Sequence, residues 1–287
     1  MRKLVKFWRE QAWVDRVTAA VTPRIDSALA KTGNSRKVAD FLNGVWLGHP
    51  LHPALTGVPI GAWTTAAMFD VAAALTGRRS KAAMSAIGLG IAAAAPTAAA
   101  GLMDWYHLNR QQQRLGGGHA LMNSAALGFY LLSFALRLTG LGSGRLSSFL
   151  GLGLIGGSAY IGGHLVYNER AGVRHVTEEE PPQTFSPAGG PSELDNGSLR
   201  RIDVDGVPVL LARVDGRPYA VADMCTHLAC SLSEGTIERD TIVCGCHGSR
   251  FSLVDGSVLQ GPATAPLTTF DVRLEDGRIE VRARSRV

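Results

Sequence analysis

Four stretches of this 287-residue chain are apolar and long enough to cross a bilayer as helices, at about 54–75, 82–105, 120–139 and 146–167. A spanning helix needs about 20 such residues, and it must satisfy its own backbone because the bilayer interior offers no water. The stretches are rich in Ala and Gly, so a buried soluble bundle competes with the membrane reading. The gaps decide against it: Gly77–Lys81, Tyr106–Gly118 and Gly140–Arg145 are short and hold the charges. Small residues such as the Gly153 and Gly157 pair let helices approach closely in lipid. Pro59 and Pro96 are tolerable inside a span. Residues 46–175 are therefore expected to form a multi-pass, all-α four-helix bundle in the cell membrane, in contact with lipid.

Residues 1–45 have another character. Arg2, Lys3, Lys6, Arg9 and Arg16 alternate with Leu4, Phe7, Trp8, Val14 and Val17 at helical spacing. Such a helix lies on anionic lipid or packs on its own protein, and both readings stand. No continuous apolar stretch and no small-residue cleavage site follow the basic residues, so an export signal is not expected. The net charge of +5 is modest and the basic residues form no long tract, which argues against a nucleic-acid partner.

After Tyr167 the texture changes. Residues 176–192 read as a linker, with Glu178–Pro191 acidic and then rich in Pro, Gly and Ser. From 193 to 287 short β-like runs alternate with turn signals. Val207–Val214, Tyr219–Val221, Thr241–Val243, Phe251–Leu253, Phe270–Leu274 and Ile279–Ala283 are the runs, and Asp215–Gly216 and Asp255–Gly256 the turns. A small all-β domain is expected there. No internal repeat stands out anywhere in the chain.

All four cysteines fall in that domain, in CTHLAC (Cys225–Cys230) and CGCHGSRF (Cys244–Phe251). A Cys-x-His is followed, after sixteen residues, by a Cys-x-x-His. Two thiolates with two imidazoles suit tetrahedral zinc, and they also suit a 2Fe–2S cluster in which His replaces Cys on one iron. The spacing and the flanking sequence favour the cluster, held by Cys225, His227, Cys244 and His247. No constellation for making or breaking bonds is visible, and no catalytic residue is assigned.

The motif pair resembles that of the Rieske subunit of quinol-oxidising cytochrome complexes, over about residues 190–285. The resemblance implies that Cys225 and Cys244 hold one iron and His227 and His247 the other. It also implies a disulfide between Cys230 and Cys246, a pair that simpler Rieske ferredoxins lack. Gly261–Leu267 resembles the Pro-rich third loop over the cluster, so Gly248, Ser249 and Pro262 fall in its surroundings. By the same resemblance Ser249 donates a hydrogen bond to sulfur. Phe251 stands where the highest-potential members place a tyrosine.

Charge explains why such a centre accepts an electron. Two ferric ions, two sulfides and two thiolates sum to zero, whereas a four-thiolate cluster carries two negative charges. The potential is therefore raised, to about −150 to +300 mV, and hydrogen bonds to the sulfurs raise it further. A phenyl ring at Phe251 donates no such bond, so a potential below that of the quinol-oxidising subunits is expected.

Five histidines, His49, His52, His107, His119 and His164, are placed by alternating spans near one membrane surface, the one from which both chain ends emerge; His175 sits just before the linker. Paired imidazoles such as His52, His119 and His164 suit a haem b in a bundle, a quinone pocket, another metal or plain helix capping. HPLHPALTGVPIG (His49–Gly61), with GLMDW, GGGHALMN and GGHLVY, resembles a family of small bacterial membrane proteins of unassigned function. Asp70 lies inside the first span, where an acid needs a partner; Arg137 at the matching depth, or Arg78, supplies one.

Sidedness rests on a near balance. The end-bearing face carries Arg36, Lys37, Arg110, Arg114, Arg170 and Arg174; the other carries Arg78, Arg79, Lys81, Arg137 and Arg145. The basic N-terminus tips the expectation toward a cytoplasmic Rieske domain, while a disulfide points outward. The function expected is a membrane-anchored one-electron carrier working with a redox partner protein or a quinone. Alternatives are a quinol-oxidising oxidoreductase subunit, a donor to a separate oxygenase or reductase, and a redox sensor.

Overall fold

The computed structural model describes residues 2–77, 80–173, 181–190 and 194–284. Residues 176–180, 191 and 192 of the expected linker, with His175, Arg174, Arg78 and Arg79, lie outside them. Seven α-helices come first: α1 Arg2–Arg9, α2 Trp13–Lys31, α3 Ser35–Asn43, α4 Leu51–Leu75, α5 Lys81–Tyr106, α6 Arg110–Leu138 and α7 Arg145–Tyr167. Ten short strands follow among the described residues. The chain divides into two compact units, Met1–Ser35 with Pro50–Ala171, and Arg36–His49 with Gly172–Val287.

In the helical unit α4 to α7 are each 23 to 29 residues long and apolar enough to cross a membrane. Helix α6 starts ten residues before the expected span, which shortens the expected Tyr106–Gly118 loop. The reason is local. The Asn109 side chain accepts from the Gln111 and Gln112 N–H groups while the Gln112 side chain accepts from the Asn109 N–H, a reciprocal cap. Three consecutive glycines then stay helical because each meets a bulky neighbour. A Cβ on Gly116 would stand 2.5 Å from the Trp105 ring, on Gly117 2.8 Å from Val14, and on Gly118 2.3 Å from Trp8. The basic N-terminal helices thus pack on their own protein: Val5, Trp8 and Val14 are buried. Asp15 fixes the arrangement by binding Arg114 and Arg110, and those guanidinium groups hold its carboxyl well below the usual carboxylate range.

The four long helices form a repeat that the sequence does not announce. Three pairs link α4 to α6: His52 with His119, rings 6.2 Å apart; Trp63 with Tyr130, stacked at 4.2 Å; and Asp70 with Arg137, joined by two hydrogen bonds of 2.9 and 2.6 Å. Each pair is separated by the same 67 positions. The return helices match with an offset of 61. Trp63 lies against Gly90 of α5 and Tyr130 against Gly151 of α7; His52 lies against Gly101 and His119 against Gly162. The hairpin α4–α5 is therefore repeated by α6–α7 about a pseudo-two-fold axis. Helices two spans apart run in the same direction, so the axis lies along the helices. Equivalent residues nearest such an axis must meet, as they do in a symmetric dimer. The three pairs span 19 residues of α4, a rise of about 27 Å, which is close to the hydrocarbon thickness of a bilayer.

The second unit is β-rich. Six antiparallel strands, β1 Ser186–Pro187, β2 Leu199–Val204, β3 Val207–Val214, β4 Arg217–Ala222, β9 Thr269–Glu275 and β10 Arg278–Ala283, are ordered β1-β10-β9-β4-β3-β2. A smaller antiparallel sheet runs β5 Thr236–Glu238, β6 Thr241–Val243, β7 Arg250–Ser252, β8 Val258–Gln260. Asp205–Gly206, Asp215–Gly216 and Asp276–Gly277 turn three hairpins with positive φ at both residues, the backbone that matches strand twist. Helix α3 and the turn Val45–Leu47 belong to this unit, so the expected N-terminal segment 1–45 divides at residue 35.

Asp70 is fully buried and Arg137 nearly so. Removing one partner strands a charge in an apolar interior, at about 3–5 kcal/mol, whereas replacing both by apolar residues costs far less. Asp70→Ala is expected to lower the unfolding midpoint in detergent sharply. Asp70→Leu combined with Arg137→Leu recovers much of that loss.

Candidate metal centre

Three loops converge at one end of the smaller sheet. The first, Cys225–Cys230, follows β4; the second, Cys244–Ser249, joins β6 to β7; the third, Gly261–Leu267, leads from β8 to β9. The first two each close on themselves. Ala229 N–H donates to the Cys225 carbonyl at 2.9 Å and Cys225 N–H to Cys230 at 2.8 Å. In the second, Gly248 N–H donates to Cys244 at 3.1 Å and Cys244 N–H to Ser249 at 2.8 Å. Gly248 has φ +73, a backbone conformation that glycine adopts without a steric penalty. The Cys230–Cys246 disulfide ties the two loops together, and its sulfurs lie within 4.8 Å of Cys244 Sγ.

The third loop is held from three directions. The Ala263 N–H donates to Ser249 Oγ at 3.0 Å, the Thr226 hydroxyl to the Ala265 carbonyl at 2.6 Å, and the Gly261 N–H to Asp40 Oδ1 at 2.9 Å. Pro262 is buried among these contacts. Burial holds the Asp40 carboxyl above the usual carboxylate range, against the opposing pull of the Gly261 N–H. At the base of the first loop Asp223, fully buried, accepts from the Ser231 hydroxyl and from the Ser233 N–H. Thr226, Asp223 and Asp40 escaped the sequence reading. The first two had a signal, since they lie within or beside CTHLAC; Asp40 had none.

The four expected ligands come together and sort by polarity. Cys225 and Cys244 are each 2% exposed and share a hydrogen bond. The imidazoles of His227 and His247 meet edge to face at 5.0 Å on the outer side, His227 partly buried and His247 exposed. Around the sulfurs the donors are dense. The His227 N–H and the Ser249 hydroxyl donate to Cys225 Sγ, and the Cys246 and His247 N–H groups donate to Cys244 Sγ. The bond to Cys244 and then burial push the Cys225 thiol up; the bond from Cys225 and the two N–H groups pull Cys244 down. Such a donor set stabilises thiolate, the form in which cysteine binds metal. Two sulfurs inside and two imidazoles outside fit a 2Fe–2S group held by Cys225, Cys244, His227 and His247.

Phe251 is fully buried in the same apolar core as both cysteines, with Leu210, Leu232, Ile242 and Leu267. It donates nothing to the sulfurs. Of the histidines in the helical unit, His52 and His119 meet each other, whereas His164 is engaged by Arg9, Asn168 and Glu169.

Comparison with known proteins agrees with this geometry. A family described as "Rieske [2Fe-2S] domain" matches residues 184–271, and one described as "Predicted membrane protein (DUF2231)" matches 48–175. The chain is 38% identical over 91 residues to Ferredoxin CarAc of Metapseudomonas resinovorans, covering 31% of this chain and 85% of that one. It is 42% identical over 89 residues to the 3-phenylpropionate/cinnamic acid dioxygenase ferredoxin subunit of Escherichia coli strain K12, covering 31% and 83%. Among solved structures, the ferredoxin of carbazole 1,9a-dioxygenase from Nocardioides aromaticivorans IC177 aligns at 26% identity over 35% of this chain and 99% of that chain, with a TM-score of 0.34. The first two relatives are ferredoxins by name.

The donor set makes two redox predictions, read by protein-film voltammetry of the purified protein. Ser249→Ala removes one hydrogen bond to sulfur and is expected to lower the potential by about 40–90 mV, the one-electron equivalent of about 1–2 kcal/mol. Phe251→Tyr is expected to raise it. An unchanged potential in Ser249→Ala would show that the hydroxyl does not act on the sulfur.

Proposed function

Because this chain belongs to the Rieske [2Fe–2S] family and carries a DUF2231 membrane-protein domain ahead of that module, we propose that it is a membrane-anchored one-electron carrier. The observation that carries the reading is the polarity of the site. Both cysteines are buried under hydrogen-bond donors while His247 stands exposed and His227 partly so. When bound, the 2Fe–2S group supplies a one-electron couple in the range of about −150 to +300 mV. The residues around it do the rest. Backbone N–H groups and Ser249 favour the extra negative charge of the reduced state. The disulfide and the third loop hold the ligands in place and exclude water from the sulfur side. The imidazole edges form the surface on which a redox partner protein docks.

Anchoring serves encounter. Two sites on one chain or one membrane meet at high effective concentration when the connection spans them. The basic N-terminus supports a cytoplasmic face for the Rieske module.

A second reading, donation to a separate oxygenase, draws on the relatives, one of which is by name the ferredoxin subunit of a dioxygenase. Quinol oxidation is favoured by the Cys230–Cys246 bond and opposed by Phe251. Purified protein is expected to take up one electron per Rieske centre, counted by its EPR signal in a dithionite titration, and to show no steady turnover of decylquinol with cytochrome c as acceptor. Sustained quinol-dependent turnover would replace the carrier with a quinol-oxidising enzyme.

A further inference from the structure

The helical unit holds a second cluster of metal-ligating side chains, unrelated to the cysteines. We propose that His52 and His119 form a bis-imidazole site for a transition-metal centre on the pseudo-two-fold axis of the bundle. The proposal goes beyond the carrier reading and stands independently of it.

Distance is the first argument. The two rings lie edge to face with centroids 6.2 Å apart. Imidazoles bound on opposite sides of one metal ion place their ring centres about 6 Å apart, given metal–nitrogen bonds of about 2.0–2.1 Å. Facing helices of a four-helix bundle are where such sites are built.

Tautomer is the second. His52 Nδ1 lies 2.9 Å from the Thr97 carbonyl of α5, and His119 Nδ1 lies 2.9 Å from the Ser158 carbonyl of α7. A carbonyl accepts only, so each bond puts the ring proton on Nδ1 and leaves the Nε2 lone pair as the ligand, the arrangement that orients metal-binding histidines. The Ser158 hydroxyl, also 2.8 Å from His119 Nδ1, donates onward to the His119 carbonyl. Among the described residues His52 Nε2 has no hydrogen-bond partner. His119 Nε2 accepts from the Asn123 amide at 3.0 Å, a bond that a metal would displace. Thr56 is the repeat equivalent of Asn123, and its hydroxyl turns instead to the Pro53 carbonyl.

Room is the third. A Cβ on Gly101 would stand 2.7 Å from His52 Nδ1, and one on Gly162 would stand 3.1 Å from His119 Cε1. Both hairpins thus repeat one device: a histidine, a carbonyl on the next helix to orient it, and a glycine one turn further on to admit the ring. Helix packing alone is served more cheaply by an apolar residue, because desolvating two imidazoles is costly. His164 does not belong to the site, being held by Asn168, Glu169 and Arg9.

Imidazole nitrogen suits zinc, copper, nickel and iron, and it also suits the iron of a haem. The test uses the full chain purified in detergent, with elemental analysis, an optical spectrum, and equilibrium binding of added Zn²⁺ or hemin. The expected result is one metal per chain beyond the two irons of the Rieske centre. A Soret band identifies haem iron, and its absence with a bound ion identifies a bare metal. His52→Gly and His119→Gly are each expected to lose that metal while keeping the Rieske EPR signal. Added imidazole restores it in the Gly variants if the ring is a ligand, an outcome that a role in packing alone would not produce. The proposal is overturned if the wild type binds neither Zn²⁺ nor hemin and holds no third metal, or if both variants keep it.

Discussion

A charge in an apolar interior must find its partner within that interior, and both halves of the chain are arranged around this demand. In the helical unit the Asp70 carboxylate meets a two-pronged guanidinium, with Arg145 4.0 Å away as a second cation. In the β-rich unit two thiols are buried against Phe251 and Leu232, and their backbone donors come from their own loops. The two solutions differ in kind. The ion pair joins residues on separate helices and so locks a tertiary arrangement, whereas the thiol donors are mostly backbone groups two or three positions along the chain. The metal site is thus preorganised by loop conformation, and loop conformation is preorganised by the disulfide and by Asp223.

The segment Arg36–His49 alters how the Rieske unit is to be viewed. It precedes the first long helix in sequence, yet it packs with the β-rich unit. Its Asp40 accepts from Gly261 at the start of the third loop, and a Cβ on Gly261 would stand 2.9 Å from Val45. Glycine at 261 therefore permits the close approach of a strap drawn from the other end of the chain. The domain is completed by residues that a reading of the last hundred positions alone would leave out.

Much of this was legible. The four proposed ligands and the two disulfide partners fall within two short motifs, so short loops bring them together almost irrespective of the rest of the fold. Val207–Val214 and Thr241–Val243 match their strands residue for residue, because alternation and Asp–Gly turns are local signals. Depth offered Arg137 as a partner for Asp70, with Arg78 as the alternative, and the structure pairs Asp70 with Arg137. What escaped depends on close approach. The start of α6 was missed because three glycines read as a loop until the side chains that fill their place are known. The repeat was missed because His52–Asp70 and His119–Arg137 share only the histidine and one glycine over nineteen positions. An axis constrains where side chains meet far more than it constrains their identity. Asp40 lies more than two hundred positions from its partner, and no local pattern announces it.

The repeat has a consequence for which molecules this bundle can associate with. Two separate copies of one hairpin, arranged symmetrically, would set identical residues face to face along their common axis, acid against acid at the level of Asp70. Covalent linkage of two diverged hairpins removes that restriction: like opposes like at the histidines while opposites meet at Asp70 and Arg137. The first hairpin is thereby electrostatically barred from pairing with its own counterpart in a neighbouring molecule. The bundle carries an internal address, and it assembles with the half that follows it on the same polypeptide.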